Sequence, residues 1–175
     1  MQLKMQNRID FDEIVNDTLE IFQEYLHRID KNLLTHRLSD HNFNELAGRD
    51  FPLNWSYIID DKLALDGGFD FGLTWKGQNQ LIGAFISAYK PREKCLEIYA
   101  IERLEDGDLQ GNMMRHSLYA CFLLFSFIDG QSIKVIDVEA DNHELRNFYK
   151  SFGFKEINEQ DFILTRNDLN KLFGG

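Results

Sequence analysis

One tyrosine, set at a fixed place in a short helical stretch, is well suited by its chemistry to donate a proton. Residues 142–154 read NHELRNFYKSFGF, with Asn142 as a helix N-cap and Gly153 where a helix would stop. Apolar residues at three- and four-residue steps, among them Phe148 and Tyr149, predict one buried helical face. A phenol has an ordinary pKa of about 10 and is therefore a protonated donor at neutral pH. The alternative is that Tyr149 only packs on this face.

This stretch resembles the C-terminal motif of the Gcn5-related N-acetyltransferases, the GNAT superfamily. The motif runs from an asparagine through a hydrophobic anchor to a tyrosine and then to Gly-Phe. The matching residues here are Asn142, Leu145, Phe148, Tyr149, Gly153 and Phe154. The resemblance extends over residues 95–157, and residues 69–89 are similar to the strand–turn–strand rhythm of the family. It implies transfer of an acetyl or other acyl group from coenzyme A to an amine that attacks the thioester directly.

The resemblance also implies a loop that binds the coenzyme pyrophosphate. A loop between a strand and a buried helix presents backbone N–H groups and a positive helix end to an anion. The residues that match the family's loop pattern are Gln110, Gly111, Asn112, Met113, Met114 and Arg115. Gln110 fits, but Met113 and Arg115 stand where the family has glycines, which let phosphates approach closely. Arg115 would compensate in part by pairing with a phosphate.

The family resemblance also assigns roles to five individual residues. An equivalent tyrosine lies near the coenzyme sulfur and protonates the leaving thiolate, which makes Tyr149 the candidate acid. A glutamate on or just after the strand before the loop takes the proton of the amine, and Glu97 and Glu102 are the two candidates. The backbone of Ile101 would pair with the pantetheine amides like an added strand. Asn142 would hold the cofactor arm or only cap its helix.

The elements that would position these residues predict one α/β domain over residues 1–175. The expected fold is a mixed, mostly antiparallel twisted sheet with one parallel crossover and helices on both faces. The predicted strands are 69–76, 81–89, 95–101 and 133–138, the crossover helix is 113–128, and a hairpin at 154–165 precedes a last helical turn. The sheet and coenzyme site together span about residues 69–157.

Residues 10–50 are expected to form a helical region on the acceptor side. Asp10 is predicted to be the N-cap of a long amphipathic helix, and residues 1–9 to be an edge strand or a disordered tail. Ser39 begins a second, short helix. Residues 55–65 fit a strand and a helix equally well.

Composition and charge limit the partners. The chain has 175 residues and a net charge of −10, which argues against nucleic acid because phosphate neutralisation needs a basic face. An acidic surface suits a small-molecule or peptide amine, although it equally serves solubility. The sequence shows neither a run of about twenty apolar residues nor a signal peptide, which predicts a cytoplasmic protein without membrane contact.

The remaining residue types predict no metal and no cysteine nucleophile. The five histidines lack metal-ligand spacing, and Cys95 and Cys121 are predicted to be reduced and buried. The predicted function is that of an N-acetyltransferase that uses acetyl-CoA or another acyl-CoA. The sequence is also compatible with a homodimer. Two alternatives remain because the loop lacks its glycines. One is a GNAT-like binding or regulatory module, and the other is an acyltransferase whose donor is carried by a protein.

Overall fold

The computed structural model describes residues 2–48, 55, 58–59, 67–104, 112–136, 138 and 141–174, with side chains from residue 10 onward. Within these residues the strands form one seven-stranded sheet in the order β1-β2-β3-β4-β5-β7-β6. The strands are β1 Leu33–His36, β2 Gly68–Trp75, β3 Gly83–Lys90, β4 Cys95–Arg103, β5 Ser132–Val135, β6 Lys155–Glu156 and β7 Phe162–Thr165. Neighbouring strands are antiparallel except β4 and β5, which are parallel. The mixed, mostly antiparallel sheet predicted from the sequence is confirmed.

Helices cover both faces of this sheet. They are α1 Gln2–Ile29, α2 Asp40–Ala47, α3 Met113–Phe127, α4 His143–Ser151 and α5 Arg166–Phe173. Helix α3 connects the parallel strands β4 and β5, as a crossover must. None of the described helices has the length and apolar character needed to cross a membrane.

The larger core lies on the sheet face that α1 and α3 cover, which we name the α1 face. Phe71 stacks on Phe85 with ring centroids 4.8 Å apart and meets Phe22 of α1 edge to face at 5.1 Å. Phe69 and Leu73 alternate with polar or small residues and lie in the same core. Phe69, Phe71 and Leu73 therefore form the face of β2 that lies in the larger core.

A smaller core lies on the opposite face of the sheet, which we name the α2 face. Its buried residues are Leu38, Leu46, Trp55, Leu81, Ala84, Ile86 and Ala100. The predicted cap of α2 is confirmed, since Ser39 Oγ accepts a hydrogen bond from the backbone N–H of Asn42 at 3.3 Å. Of the undecided segment 55–65, Trp55, Ile58 and Ile59 are helical, and the other residues lie outside the described part of the chain.

Two predictions about the N-terminal region need correction. Helix α1 begins at Gln2, so Asp10 lies inside it and residues 1–9 contain neither a strand nor a tail over their described part. Gln, Lys, Met and Arg in this segment are good helix formers, and a capping sequence does not prevent the preceding turn from being helical. Strand β1 was missed because four residues are too short for a periodic signal. The side chain of Gln23 covers its outer edge, with its Nε2 donating to Leu33 O at 2.9 Å and its Oε1 accepting from Thr35 N at 2.7 Å.

Replacing Phe71 with alanine should lower the free energy of unfolding by about 3–5 kcal/mol, because a fully buried, stacked ring leaves a cavity. Phe127→Ala is the matched control. Its ring is 43% exposed, and its loss should change the free energy by no more than about 0.5 kcal/mol. Urea denaturation of both variants measures the difference, and equal losses would contradict the burial of Phe71.

Candidate active site

Strands β4 and β5 run side by side at their amino ends and then part. Their ladder runs from Cys95 opposite Ser132 to Ile98 opposite Val135. Strand β5 ends there, while β4 continues along β3 to Arg103. We name the space beyond Ile98 and Val135 the β4–β5 fork. It lies at the carboxyl ends of two parallel strands, where α/β sheets commonly bind ligands.

A β-bulge occurs in β4 where the fork begins. Ala100 lies opposite Ile86 and Ile98 lies opposite Ser87, so Tyr99 is an extra residue in this strand. Ile98 accordingly belongs to the core of the α1 face, while Ala100 belongs to the core of the α2 face. The bulge therefore reverses which residues of β4 face which side.

The bulge brings both candidate bases to the same face. In a regular strand Glu97 and Glu102, five residues apart, would point to opposite faces. Here Glu97 alternates with Ile98 before the bulge, and Glu102 follows Ala100 after it, so both lie on the α2 face. Sequence alternation alone could not predict this.

The surroundings of the two glutamates differ. Glu102 is buried, 7% exposed, and its Oε2 accepts a hydrogen bond from the indole Nε1 of the fully buried Trp55. Glu97 is half-buried and accepts a hydrogen bond from the hydroxyl of Tyr99 at 2.8 Å. Trp55 and Tyr99 were missed as site residues. The only signal for Trp55 was its residue type in an undecided segment, and Tyr99 had none.

The backbone of Ile101 faces the fork. The N–H of Leu104 donates to Ile82 O of the segment leading into β3 at 2.9 Å. Alternate residues of an antiparallel strand direct their N–H and C=O groups to opposite sides, so those of Ile101 point away from β3. This is the orientation that strand-like pairing with an extended ligand requires.

Helix α3 begins beside the end of β4. Met113 is buried, 5% exposed, and its Sδ would lie 2.7 Å from a Cβ placed on Gly83. Gly83 is paired with Arg103, the last residue of β4. The missing side chain of Gly83 thus admits Met113 into the core, together with the buried Met114.

Among the other residues of the predicted loop, the structure describes Asn112 and Arg115. Arg115 is exposed, and its guanidinium carbon lies 5.2 Å from the ring centroid of Phe173 in α5. Asn112 precedes the helix without a side-chain capping bond. Gln110 and Gly111 lie outside the described residues. Met113 and Arg115, the two replacements for glycine, therefore have their side chains in the core and on α5.

Helix α4 has the predicted ends. Asn142 Oδ1 accepts a hydrogen bond from the backbone N–H of Leu145 at 3.0 Å, so Asn142 is the N-cap. Gly153 has a φ of 99°, a left-handed conformation that favours glycine after a helix. These caps fix the rotation of the helix and with it the direction of its apolar face.

Tyr149 lies on the β5 side of the fork. Its ring centroid is 5.7 Å from those of Phe154 and Phe162. Phe162 is the strand partner of Val135, the last residue of β5. Burial raises the pKa of Tyr149 to about 12, so its phenol remains protonated near neutral pH and is a weaker acid than an exposed phenol.

Metal and thiol chemistry find no support in the described part of the chain. There, no three side chains of the His, Cys, Asp and Glu types are grouped so as to hold a metal ion. Cys95 and Cys121 are free and buried, as predicted. Burial raises the pKa of the Cys121 thiol, which keeps it protonated and unreactive.

Comparisons with known proteins were made for sequence and for fold. No protein-family model matches the chain, and no curated protein matches it. A spermidine N-acetyltransferase from Vibrio cholerae, solved in complex with CoA and spermine, is 12% identical over 80% of this chain and 99% of its own, with a TM-score of 0.57. The ribosomal-protein-S18-alanine N-acetyltransferase from Escherichia coli is 16% identical over 76% of this chain and 92% of its own, with a TM-score of 0.57. A domain from Methanocaldococcus jannaschii is 14% identical over 76% of this chain and 97% of its own, with a TM-score of 0.55. At these identities the likeness concerns the fold.

Raising the pH from about 10 to about 12 should destabilise the protein partly through Tyr149. Its pKa is about 12 in the folded protein and about 10 in an unfolded chain, so the unfolded state loses this proton first. The free energy of unfolding is unaffected by this difference in pKa below about pH 10. It then falls as the pH rises through 12, by at most about 2–3 kcal/mol. Urea unfolding of the wild type and Tyr149→Phe over this range measures the difference. If the difference is independent of pH, the phenol is not buried as described.

Proposed function

We propose that this chain, which has the fold of the Gcn5-related N-acetyltransferases, transfers an acetyl or similar acyl group from coenzyme A to an amine. The observation that carries the proposal is the β4–β5 fork. Met113 at the start of α3 lies against Gly83 of β3, the neighbour of β4, and Tyr149 lies against Phe162 of β7, the neighbour of β5. Its structural neighbours include acetyltransferases, and one of them was solved with CoA. The protein would act in the cytoplasm and need no metal.

The coenzyme would enter the fork from the α1 face. Its pantetheine arm would pair with the backbone of Ile101, which points away from β3. Its pyrophosphate would lie at the amino end of α3, where helix N–H groups and the helix dipole favour an anion. Met113 does not oppose this, because its side chain is buried against Gly83. The rest of the pyrophosphate site would be formed by Gln110, Gly111, Asn112 and Met114. Asn142 would serve as the N-cap of α4.

In the proposed reaction, a carboxylate on the α2 face accepts a proton and Tyr149 donates one. The nitrogen lone pair of the amine forms a bond to the thioester carbon, and Glu102 or Glu97 on the α2 face takes the proton that the nitrogen loses. The carbon–sulfur bond then breaks, and Tyr149 gives its phenolic proton to the leaving thiolate. The products are an amide and coenzyme A, and exchange with water restores both proton-transfer groups. Holding both substrates in line is the larger contribution, because direct attack otherwise requires a bimolecular encounter.

The acceptor would be a small-molecule or peptide amine. The carboxylates of Glu97 and Glu102 and the net charge of −10 favour the approach of a cation. The neighbours differ in acceptor, since one is a spermidine N-acetyltransferase and another a ribosomal-protein-S18-alanine N-acetyltransferase.

Acetyl-CoA should raise the melting temperature of the protein. A ligand that binds only the native state at about a hundredfold excess over its Kd adds about 2.7 kcal/mol, which is roughly 5–10 °C for a chain of this length. Differential scanning fluorimetry with acetyl-CoA, free CoA and pantetheine measures the shift, and pantetheine serves as the control that lacks the pyrophosphate. No shift at millimolar acetyl-CoA would exclude it as the donor and favour a binding module or a carrier-bound acyl chain.

Tyr149→Phe should lower kcat by about 10²–10⁴, because the thiolate loses its proton donor. The KM for acetyl-CoA should change little, since the ring and its packing remain. Tyr119→Phe in α3 is the matched control and should keep full activity, because Tyr119 stacks on Tyr25 of α1 at a centroid distance of 4.0 Å. Release of CoA with spermidine, alanyl peptides and aromatic amines provides the assay. Equal activity of both variants would remove Tyr149 from the chemistry.

A further inference from the structure

Trp55 and Glu102 form a buried hydrogen-bonded pair on the α2 face. Trp55 is fully buried, Glu102 is 7% exposed, and the indole Nε1–H donates to Glu102 Oε2. A carboxylate away from water is costly unless donors satisfy its oxygens. The indole N–H is a donor only, so it favours the ionised carboxylate and fixes the direction of the side chain.

The surroundings make this contact strong. Leu46, Ala100 and Ile86 belong to the same apolar cluster as Trp55, and a hydrogen bond gains strength where water is scarce. In the described part of the chain, the charged or titratable groups on the elements that pack there include Glu97, Tyr99 and Arg103 of β4, Asp40, His41 and Glu45 of α2, and Asp70 of β2 with its partner Arg37. Glu97 is bound by Tyr99, Glu45 lies by Leu81 N, and Asp70 is paired with Arg37 at 3.2 Å.

The position of Glu102 along β4 also distinguishes it from Glu97. Glu97 lies in the closed part of the sheet, opposite Lys134 of β5. Glu102 comes after the bulge, next to Ile101, whose backbone faces the fork. A group that takes a proton from an amine in the fork must lie beyond the point where the strands part.

We infer that Trp55 is a positioning residue that holds Glu102 as the carboxylate which takes the proton of the attacking amine. The inference rests on the proposed function and chooses between its two candidate bases.

The first test does not depend on activity. The chain has two tryptophans, Trp55 and Trp75, so Trp75→Phe leaves Trp55 as the only indole. In this background the emission of Trp55 should change with pH as its carboxylate partner is protonated, within the range where circular dichroism shows the fold intact. Adding Glu102→Gln should shift the emission at neutral pH and abolish the titration, while adding Glu97→Gln should preserve it. Emission that is unaffected by Glu102→Gln at every pH would overturn the pairing.

The second test measures the pH profile of kcat/KM. Trp55→Phe keeps an aromatic ring but removes the N–H, so the acidic limb should move to higher pH by about one to two units, the equivalent of one charge-assisted hydrogen bond. The KM for acetyl-CoA and its thermal shift should stay unchanged, which also verifies folding. Trp75→Phe, the same substitution on β2, should leave the profile as in the wild type.

The two tests separate failure of this inference from failure of the proposed function. An active wild type whose pH profile is the same in Trp55→Phe would overturn the positioning role and leave the transferase standing. A wild type that binds no acetyl-CoA and acylates no amine would overturn both, even if the fluorescence titration proves the contact.

Discussion

The parting of β4 from β5 is the constraint on which the rest of the site depends. Two parallel strands that stayed paired would saturate each other's backbone groups and leave no place for an extended ligand. Here the ladder ends at Ile98 and Val135, and β4 continues with only β3 fixing its direction. Helix α3, which connects the two strands, begins near the end of β4, because Met113 lies against Gly83, the strand partner of Arg103.

The two faces of the sheet differ in what they bury. The α1 face buries large aromatic side chains between β2, β3 and α1, and most of the hydrophobic stabilisation must come from there. The α2 face has a smaller core and contains the carboxylates of Glu97, Glu102 and Asp70, and the last two are buried. Burying Glu102 costs stability even with its indole partner. The large core on the α1 face offsets this cost.

Local patterns predicted the parts of the site that depend on neighbouring residues in the chain. Asn142, Tyr149 and Gly153 lie within one short helix and its caps, so their spacing was enough to predict both ends. The long apolar helix α3 and the strand–turn–strand order of β2 to β4 were predictable for the same reason. Strand β1 was not, because it exists through pairing with β2 and has no periodic signal of its own.

The arrangement of Glu97 and Glu102 could not be predicted, because it depends on contacts between distant segments. The bulge at Tyr99 arises from the pairing of β3 with β4, and nothing in the sequence CLEIYAIER marks the extra residue. The contact of Trp55 with Glu102 joins residues 47 positions apart. Alternation along a regular strand would have assigned the two glutamates to different faces.

The predicted pyrophosphate loop lacks two glycines of the family pattern, and the position of the Met113 side chain explains how one of them can be replaced. A glycine at a helix start makes room for an anion because it has no side chain. Room is equally available when the side chain leaves by another route, and Met113 does so by entering the core. That route exists only because Gly83 on β3 has no Cβ, which would otherwise lie 2.7 Å from the methionine sulfur. In the proposed coenzyme complex, Gly83 of β3 would provide the room that a glycine provides in the family's loop, and a search for the loop pattern cannot find it there.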